Sequence, residues 1–585
     1  MNKNFTKTSA LVAVTLSGMM ASAQSFVWTN RITLSNEFSI YAPVLGADKN
    51  GNCYMAGSYN SSAASGNAAI VGTASNFNMA YNHFTPKSLS SWSDLLITKF
   101  NVSGVPQWAN RGQVIGIGGS GNNNNVDGLF VDSVGNSYMI ASPMDSIQFG
   151  TTVVPDKEVY SNGNGVIVKY NSAGSLIWAK ALTTAGDSYG SAIAVDDSAN
   201  SYVAGWYFNS TSGSTFGTTT LNSFGTNYAS FFVGKYDVNG NNKWAAMVDT
   251  ANWDYAPNVP AAVGTDALGN LYMSAAYGPG YGSNNRFWIT QYSHNGVQNW
   301  KTDVRSSGGT INVNSMVTDK AGNSFICGTF TGTFKFGTTT LTNNSNSGIF
   351  LLEVNSAGNF VWADQILATG YSEYAYSLSK DANDNLYMVG SYTGTLNFGG
   401  SSITSVSGSS NVFLAKFNSA GVNAWAISST GTATTQIGSC VAYGTNNMVY
   451  LGGYFNGGSN ETIDLGKATP VVDNSSTFEG CYFVGAYNTL STGISEIKAN
   501  DKSLIIYPNP SSDRVSVVMG AAFEKEGTLV SVYDMTGRLV TSMTTNQGQS
   551  AQVNFNTDIL PNGIYFIQAS NGVNSLTRKL VVNHN

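Results

Sequence analysis

Apolar and polar residues alternate with a period of two along most of this chain, in short runs rich in Val, Ile, Phe, Tyr and Thr, and that pattern predicts β-strands. The strands come in groups of four. In the most regular group they cover 191–196 (SAIAVD), 201–207 (SYVAGWY), 231–236 (FFVGKY) and 243–248 (KWAAMV). An Asp-x-x-Gly/Ala-Asn segment links the first two strands. An Asn-x-x-Gly segment, or its Asp variant, links the last two. Asp and Asn side chains bond the backbone of their own turn, and Gly or Asn tolerates positive φ, so both segments predict tight hairpin turns.

The groups recur with a period of roughly sixty residues, the mark of a repeat architecture. One box ends in Trp. KYDVNGNNKW at 235–244 returns as KYNSAGSLIW (169–178), KFNVSGVPQW (99–108) and KFNSAGVNAW (416–425), with looser copies ending at Trp300 and Trp362. A second box, out of phase with the first, reads DDSANSYVAGWY at 196–207 and has relatives beginning at Asp48, Asp132, Asp266, Asp319 and Asp381. Its seventh copy, 443–454 (YGTNNMVYLGGY), has lost the Asp. A weaker Phe-Gly mark stands between the boxes at Phe149, Phe216, Phe336 and Phe398.

A four-stranded antiparallel meander repeated about seven times predicts a β-propeller. The last group stops after its third strand, 482–487 (YFVGAY), without a Trp strand. The unmatched Trp strand is 26–31 (FVWTNR), at the opposite end of the domain. We therefore expect this N-terminal strand to complete the last blade, closing a seven-bladed ring over 24–488 and removing two exposed sheet edges. The boxes resemble the bacterial SBBP-type propeller repeats and, more distantly, the NHL family. That resemblance implies a fold and no activity.

After 488 the repeat marks end. Residues 489–503 (TLSTGISEIKANDKS, with Asn488 before them) read as a polar linker. Beyond it, short strand signals at 504–510, 513–519, 528–540, 551–556, 560–569 and 577–582 predict a small immunoglobulin-like β-sandwich over 504–585. Four motifs stand in order: Tyr507-Pro508-Asn509-Pro510, then Tyr533 to Gly537-Arg538, then Leu560 to Gly563-Ile564-Tyr565, then Lys579 to Val582. This module resembles the type A C-terminal sorting domain of the Bacteroidetes type IX secretion system. The resemblance implies Sec export, interaction with the type IX machinery and translocation across the outer membrane. It further implies removal of the module, here within 489–503, and release of the cargo or its attachment to surface lipopolysaccharide.

The N-terminus agrees with export. Lys3 and Lys7 precede an apolar stretch at 10–20, and Ala21-Ser22-Ala23 follows, so 1–23 reads as a signal peptide cleaved between Ala23 and Gln24. No later segment is apolar enough for a transmembrane helix. Only 10% of the 585 residues are charged, and the net charge is -6, which offers no basic footprint for nucleic acid. Cys53, Cys327, Cys440 and Cys481 lie far apart inside strand-like runs, as expected of buried thiols rather than a disulfide framework or a zinc site.

Candidate chemistry is sparse. His83, His294 and His584 show no metal-ligand spacing. The GxSxG match at 186–190 falls between β-strands, whereas a nucleophile elbow needs a strand-to-helix turn, so it predicts no catalytic residue. Acids draw more attention because charge is scarce. Glu37, Asp127, Asp187, Asp254 and Glu373 fall in segments leading into the first strands of their groups, accompanied by Tyr189, Trp253, Tyr255, Tyr371 and Tyr374. Carboxylates beside aromatic platforms suit a glycan or cell-envelope ligand, and oxygen ligands of this kind suit calcium. Solvated loop carboxylates and partly buried tyrosines account for the same residues more simply, as turn capping does for the box Asp. No cofactor is required. The triplets Asp132-Ser133-Val134, Asp145-Ser146-Ile147, Asp197-Ser198-Ala199 and Asp249-Thr250-Ala251 resemble the O-glycosylation acceptor pattern of the same phylum.

The leading expectation is a secreted or cell-surface binding or adhesion module. The alternative is a secreted carbohydrate-active enzyme, a glycosidase or lyase that uses carboxylates on the propeller face.

Overall fold

The strand signals and the turn chemistry act together in the structure, a computed structural model. It describes residues 25–34, 43–60, 69–71, 93–115, 124–155, 164–184, 186, 188–208, 213–222, 228–252, 262–277, 285–306, 308–370, 372–406, 408–456, 461–466, 470–472, 481–489, 504–519, 528–535, 538–545, 552–570 and 575–584. Among these residues every regular element is a strand. The chain divides into two compact units, with the boundary between Thr489 and Leu490.

In the N-terminal unit, a run of four consecutive antiparallel strands recurs in seven sheets among the described residues. The third sheet shows the plan: Ser188–Val195, Ser201–Phe208, Tyr228–Tyr236 and Asn242–Asn252, each paired with the next. The seventh sheet is assembled from both ends of the unit. Thr435–Tyr443, Met448–Asn456 and Cys481–Asn488 are followed at the edge by Ser25–Leu34, which places Trp28 opposite Ala486.

The first strands of the seven sheets are Val44–Ala47, Asn125–Val131, Ser188–Val195, Ala262–Thr265, Ile311–Thr318, Glu373–Lys380 and Thr435–Tyr443. Each packs against the next, and the last packs against the first. The hydrophobic core follows the same circuit, because each of its seven clusters is shared by two successive sheets. Tyr202, Phe231 and Val233 of the third sheet meet Val263, Met273 and Trp288 of the fourth. Trp28, Tyr450 and Val484 of the seventh meet Leu45, Met55 and Phe100 of the first. A sheet buried on both faces explains why the second strands are continuously apolar rather than alternating.

The Trp box joins one sheet to the next. Each indole N–H donates to a backbone carbonyl in the hairpin of the following sheet: Trp28 to Val102 at 2.8 Å, Trp108 to Ser172 at 3.1 Å, Trp178 to Val238 at 3.0 Å, Trp244 to His294 at 3.0 Å and Trp300 to Ser356 at 3.0 Å. The glycine of that hairpin lies flat against the ring. A Cβ added to Gly104, whose φ is +77°, would meet Trp28 at 2.5 Å, so this position requires glycine for both its backbone and its contact. Trp425 has no such hairpin ahead of it, since the matching strands of the seventh sheet belong to opposite ends of the unit. Its ring packs on Tyr487 instead, with centroids 5.5 Å apart.

The Phe-Gly mark, which carries no assignment in the sequence, is the turn of an added hairpin between second and third strands. Ser214–Phe216 pairs with Thr219–Leu221, Phe216 is fully buried and Gly217 has φ +58°. Cys53, Cys327 and Cys440 are buried thiols, and burial pushes Cys440 up to about 12. The Cys481 side chain lies outside the described residues.

The C-terminal unit has a three-stranded and a four-stranded antiparallel sheet around one core that includes Leu504, Val515, Val517, Phe555, Ile567 and Leu580. The single strand segment expected over 528–540 is two strands, Leu529–Asp534 and Leu539–Thr544, because the Asp534 carboxylate accepts the Arg538 backbone N–H across a turn.

Candidate functional site

The repeated end of the first strands is a closed network. Asp196 Oδ1 accepts the backbone N–H groups of Ser198 and Asn200, each at 2.9 Å, while Oδ2 takes the Asn200 amide at 2.9 Å and the Tyr202 hydroxyl at 3.0 Å. The same hydroxyl lies 2.7 Å from the Gly269 carbonyl in the next sheet's turn. Lys235 stands over the Tyr202 ring, 5.0 Å from its centroid and 3.9 Å from Asp196. His294 O accepts both Lys235 Nζ, at 3.3 Å, and the Trp244 indole. Asp48 with Tyr54 and Gly135 repeats the arrangement, and Tyr450 reaches Gly51 at 2.5 Å across the junction of the seventh and first sheets. The repeated charges therefore cap turns and tie sheets together. Among the described residues no group of three or more His, Cys, Asp or Glu gathers to hold a metal.

At this end the first strands surround a cavity of about 470 Å³. Its wall mixes apolar and polar surface, with Leu45, Leu129, Ile193, Val263, Met316 and Val441 drawn from six sheets and Leu378 from the remaining one. Its polar part includes Asp266, Thr318, Lys320, paired with Asp197 at 3.3 Å, and Lys380, paired with Asp384 at 2.6 Å. The sequence reading did not find this cavity, because its wall is made of the same residues that build the repeat.

Two of the unrepeated acids, Asp127 and Glu373, belong to the other end. Asp127 and Glu373, expected in connecting segments, are strand residues. Asp127 lies within Asn125–Val131 and Glu373 opens Glu373–Lys380. Asp127 occupies a β-bulge, and so do Ser191, Asn314, Tyr376 and Ser439 at the matching positions of other sheets. A bulge turns one extra side chain out of register, and these side chains reach for neighbouring chain segments. Asn314 donates to Ala375 O at 2.7 Å, Ser439 to Pro43 O at 3.3 Å, and Asp127 accepts the Ser142 hydroxyl at 2.7 Å. Spacing from the second box could have revealed this row, since each bulged residue stands five positions ahead of the box Asp or its replacement Gly444.

Glu373 occupies a position that is polar and buried in three other sheets as Asn124, Ser188 and Gln436. Those three have partners: Asn124 accepts the Met144 N–H at 2.8 Å, Ser188 donates to Asn164 at 3.0 Å, and Gln436 accepts the Ser429 hydroxyl at 2.5 Å. Glu373 is 1% exposed, and neither carboxylate oxygen has a hydrogen-bond partner among the described residues. Loss of hydration pushes its carboxyl up to about 7. Asp127 is also raised to about 7 by burial, with the Ser142 hydroxyl opposing the shift. Tyr374 is 39% exposed and stacks on Tyr376 with centroids 5.6 Å apart, while Tyr189 stacks on Trp206 at 3.9 Å. Glu37, Asp187, Trp253, Asp254, Tyr255 and Tyr371 lie outside the described residues.

In the C-terminal unit the motif residues separate into two kinds. Asn509 clasps the last strand, donating to Lys579 O at 2.7 Å and accepting the Val581 N–H at 2.8 Å, and the buried Tyr565 donates its hydroxyl to Pro561 O at 2.9 Å. Tyr507, Pro508, Pro510, Arg538 and Lys579 are exposed, Gly563 is half-buried, and Gly537 lies outside the described residues, as do Ala23 and Gln24. No helix among the described residues is long and apolar enough to cross a membrane.

Residues 505–583 match the family described as the secretion system C-terminal sorting domain. The chain thus carries the type IX sorting domain that marks proteins exported to the cell surface or secreted. No curated protein matches the chain. Among solved structures it is similar to Raptor from Chaetomium thermophilum at 9% identity and a TM-score of 0.28, covering 63% of this chain and 28% of that one. The polysaccharide lyase Uly1 shares 9% identity over 76% of this chain and 89% of its own, with a TM-score of 0.36. An apocarotenoid oxygenase from Synechocystis shares 7% over 78% and 95%, with a TM-score of 0.35. The chain spans less than a third of Raptor, and likenesses of this size bear on no activity.

Proposed function

We propose that residues 24–488 form a seven-bladed β-propeller, closed by its N-terminal strand, that acts outside the cell as a binding or adhesion module for a glycan or another cell-envelope ligand. The circuit of first strands and shared cores supports the ring. In this reading 1–23 is a leader removed between Ala23 and Gln24, 489–503 is a linker cut during export, and 504–585 is an immunoglobulin-like sandwich read by the type IX machinery.

One observation carries the binding reading. The Tyr374 ring, 39% exposed and stacked on Tyr376, offers an aromatic platform at the unrepeated end of the strands. Sugar C–H faces stack on such rings. The test is retention of the exported protein on a glycan array and on isolated cell envelopes, with Tyr374→Ala as comparison. Retention that falls in the variant supports the reading, and no retention on either surface sinks it.

A second reading is favoured by the raised carboxyls of Asp127 and Glu373. A carboxyl raised to about 7 keeps a large protonated fraction at neutral pH, as the general acid of a glycosidase must. Polysaccharide turnover lost in both Asp127→Asn and Glu373→Gln would establish it, and binding without turnover would exclude it.

A further inference from the structure

The sorting motifs are spread over more than seventy residues, yet strand pairing brings them to one end of the C-terminal unit. Tyr507 pairs with Ser516, and Arg514, two residues further along that strand, pairs with Asn556. Asp534, at the end of its strand, pairs with Tyr565, and Gly563 pairs with Val582. Ser511 bridges to Val582, and His584 N–H donates to Asn562 at 2.7 Å. The Tyr-Pro-Asn-Pro loop, the Asp534–Arg538 turn, the start of the Gly563–Ser570 strand and the end of the Ser575–Val582 strand therefore share that end.

Two kinds of side chain meet there. Asn509, Tyr565 and the Ser511–Thr557 hydroxyl pair, 2.7 Å apart, hold the segments together. Tyr507, Met535, Leu539, Ile559 and Ile564 do not contribute to the core; they are 49%, 75%, 53%, 79% and 40% exposed. Single exposed apolar residues are ordinary, whereas several gathered at one end of a small unit indicate a surface that another molecule covers. The Arg538 side chain is 81% exposed and its Nε donates to Asp534 at 2.9 Å, which holds a guanidinium beside the apolar residues. Apolar side chains beside a positioned Arg are the composition of an interface centre.

We infer that this end is the docking surface for a protein subunit of the export machinery, one offering an apolar groove with carboxylate or carbonyl acceptors for Arg538. The inference rests on the sorting reading, and the occupant follows from it: a sorting domain must be read by the apparatus that moves it. Other exposed apolar residues, Leu529 at 45% and Met543 at 47%, lie at the opposite end of the unit, where Leu529 pairs with Thr544 and Ser570. They provide an internal control.

The experiment follows full-length precursor in the bacterium that produces it, as surface and periplasmic fractions, for the wild type, for Met535→Ser with Ile559→Ser, for Leu529→Ser with Met543→Ser, and for a chain lacking 504–585. Protease resistance of the retained precursor confirms folding. The first pair is expected to lower the surface fraction by about tenfold or more, the loss expected when two interface anchors are removed. The control pair is expected to leave it unchanged. Export of the first pair at the wild-type level overturns the docking surface, as does equal loss in both pairs. Normal export of the truncated chain overturns the sorting reading itself. If the first pair instead abolishes self-association of the purified full chain while export persists, the surface belongs to a second copy and the inference fails.

Discussion

The two ends of the first strands in the N-terminal unit are built on different terms. At the turn end, Asp196 is surrounded by donors, and its neighbours Tyr202, Lys235 and Trp244 each hold a partner in the next sheet's turns. At the other end, Glu373 is buried with no partner for its carboxyl among the described residues, and Asp127 has the Ser142 hydroxyl. Around Asp48 and Asp196 the repeated residues satisfy one another, as a scaffold requires. An isolated acid in one repeat has no such partners, and burial leaves its charge uncompensated. The repeated end is where stability resides, and the unrepeated end is where activity should be sought.

Substitutions can break this comparison. Trp28→Ala should have the largest effect, about 3–5 kcal/mol, because it empties the core shared by the seventh and first sheets and removes the hydrogen bond to Val102. Urea unfolding of the exported protein measures it, and a cost under about 1 kcal/mol would show that the N-terminal strand does not hold the unit together.

Glu373 should come next and should depend on pH. Its carboxyl is raised from 4.5 to about 7 in the fold. Below 4.5 it is protonated in both folded and unfolded chains and costs nothing. Between 4.5 and 7 the unfolded chain gives up a proton that the folded chain keeps, so stability falls as pH rises, by about 3 kcal/mol in all. Glu373→Gln should abolish this slope and leave the variant more stable than the wild type at pH 8, as read from melting temperature across pH 4–8. Parallel profiles for the two proteins would mean that Glu373 is compensated after all.

Asp127→Asn should change the profile in the same direction, over a window that opens lower, between 3.8 and about 7, and by less than Glu373, because its half-buried side chain is screened by solvent. The smallest effect is expected for Lys320→Ala. Its pair with Asp197 is largely exposed, and its removal should alter stability by no more than about 0.5 kcal/mol. If this substitution instead changes ligand binding, the functional end is the cavity at the turn end rather than the acid-bearing rim.

Much of the fold was legible because its signals are local and repeated. The Asp and Asn turns, the Trp strands and the order of the sorting motifs are all patterns within a dozen residues. Even the pairing of Ser25–Leu34 with Cys481–Asn488, residues at opposite ends of the unit, could be expected from counting a missing strand. The candidate site was less legible. Asp127 and Glu373 stood out because acids are rare, but nothing local distinguishes a strand residue at a bulge from a loop residue. The cavity was invisible for a different reason: its wall, from Leu45 to Val441, is contributed by sheets far apart in sequence and only their packing encloses it.

What the sequence by itself determined is the unit of construction and the route of export. Hairpin turns, alternating strands and short sorting motifs depend on neighbouring residues and can be read one after another. Only the tertiary structure decided that Glu373 finds, among the described residues, no partner such as its counterparts Asn124, Ser188 and Gln436 possess, and that Tyr507, Met535 and Ile559 gather at one end. Burial and proximity belong to pairs of residues tens of positions apart, and they exist only once the sheets have closed on one another.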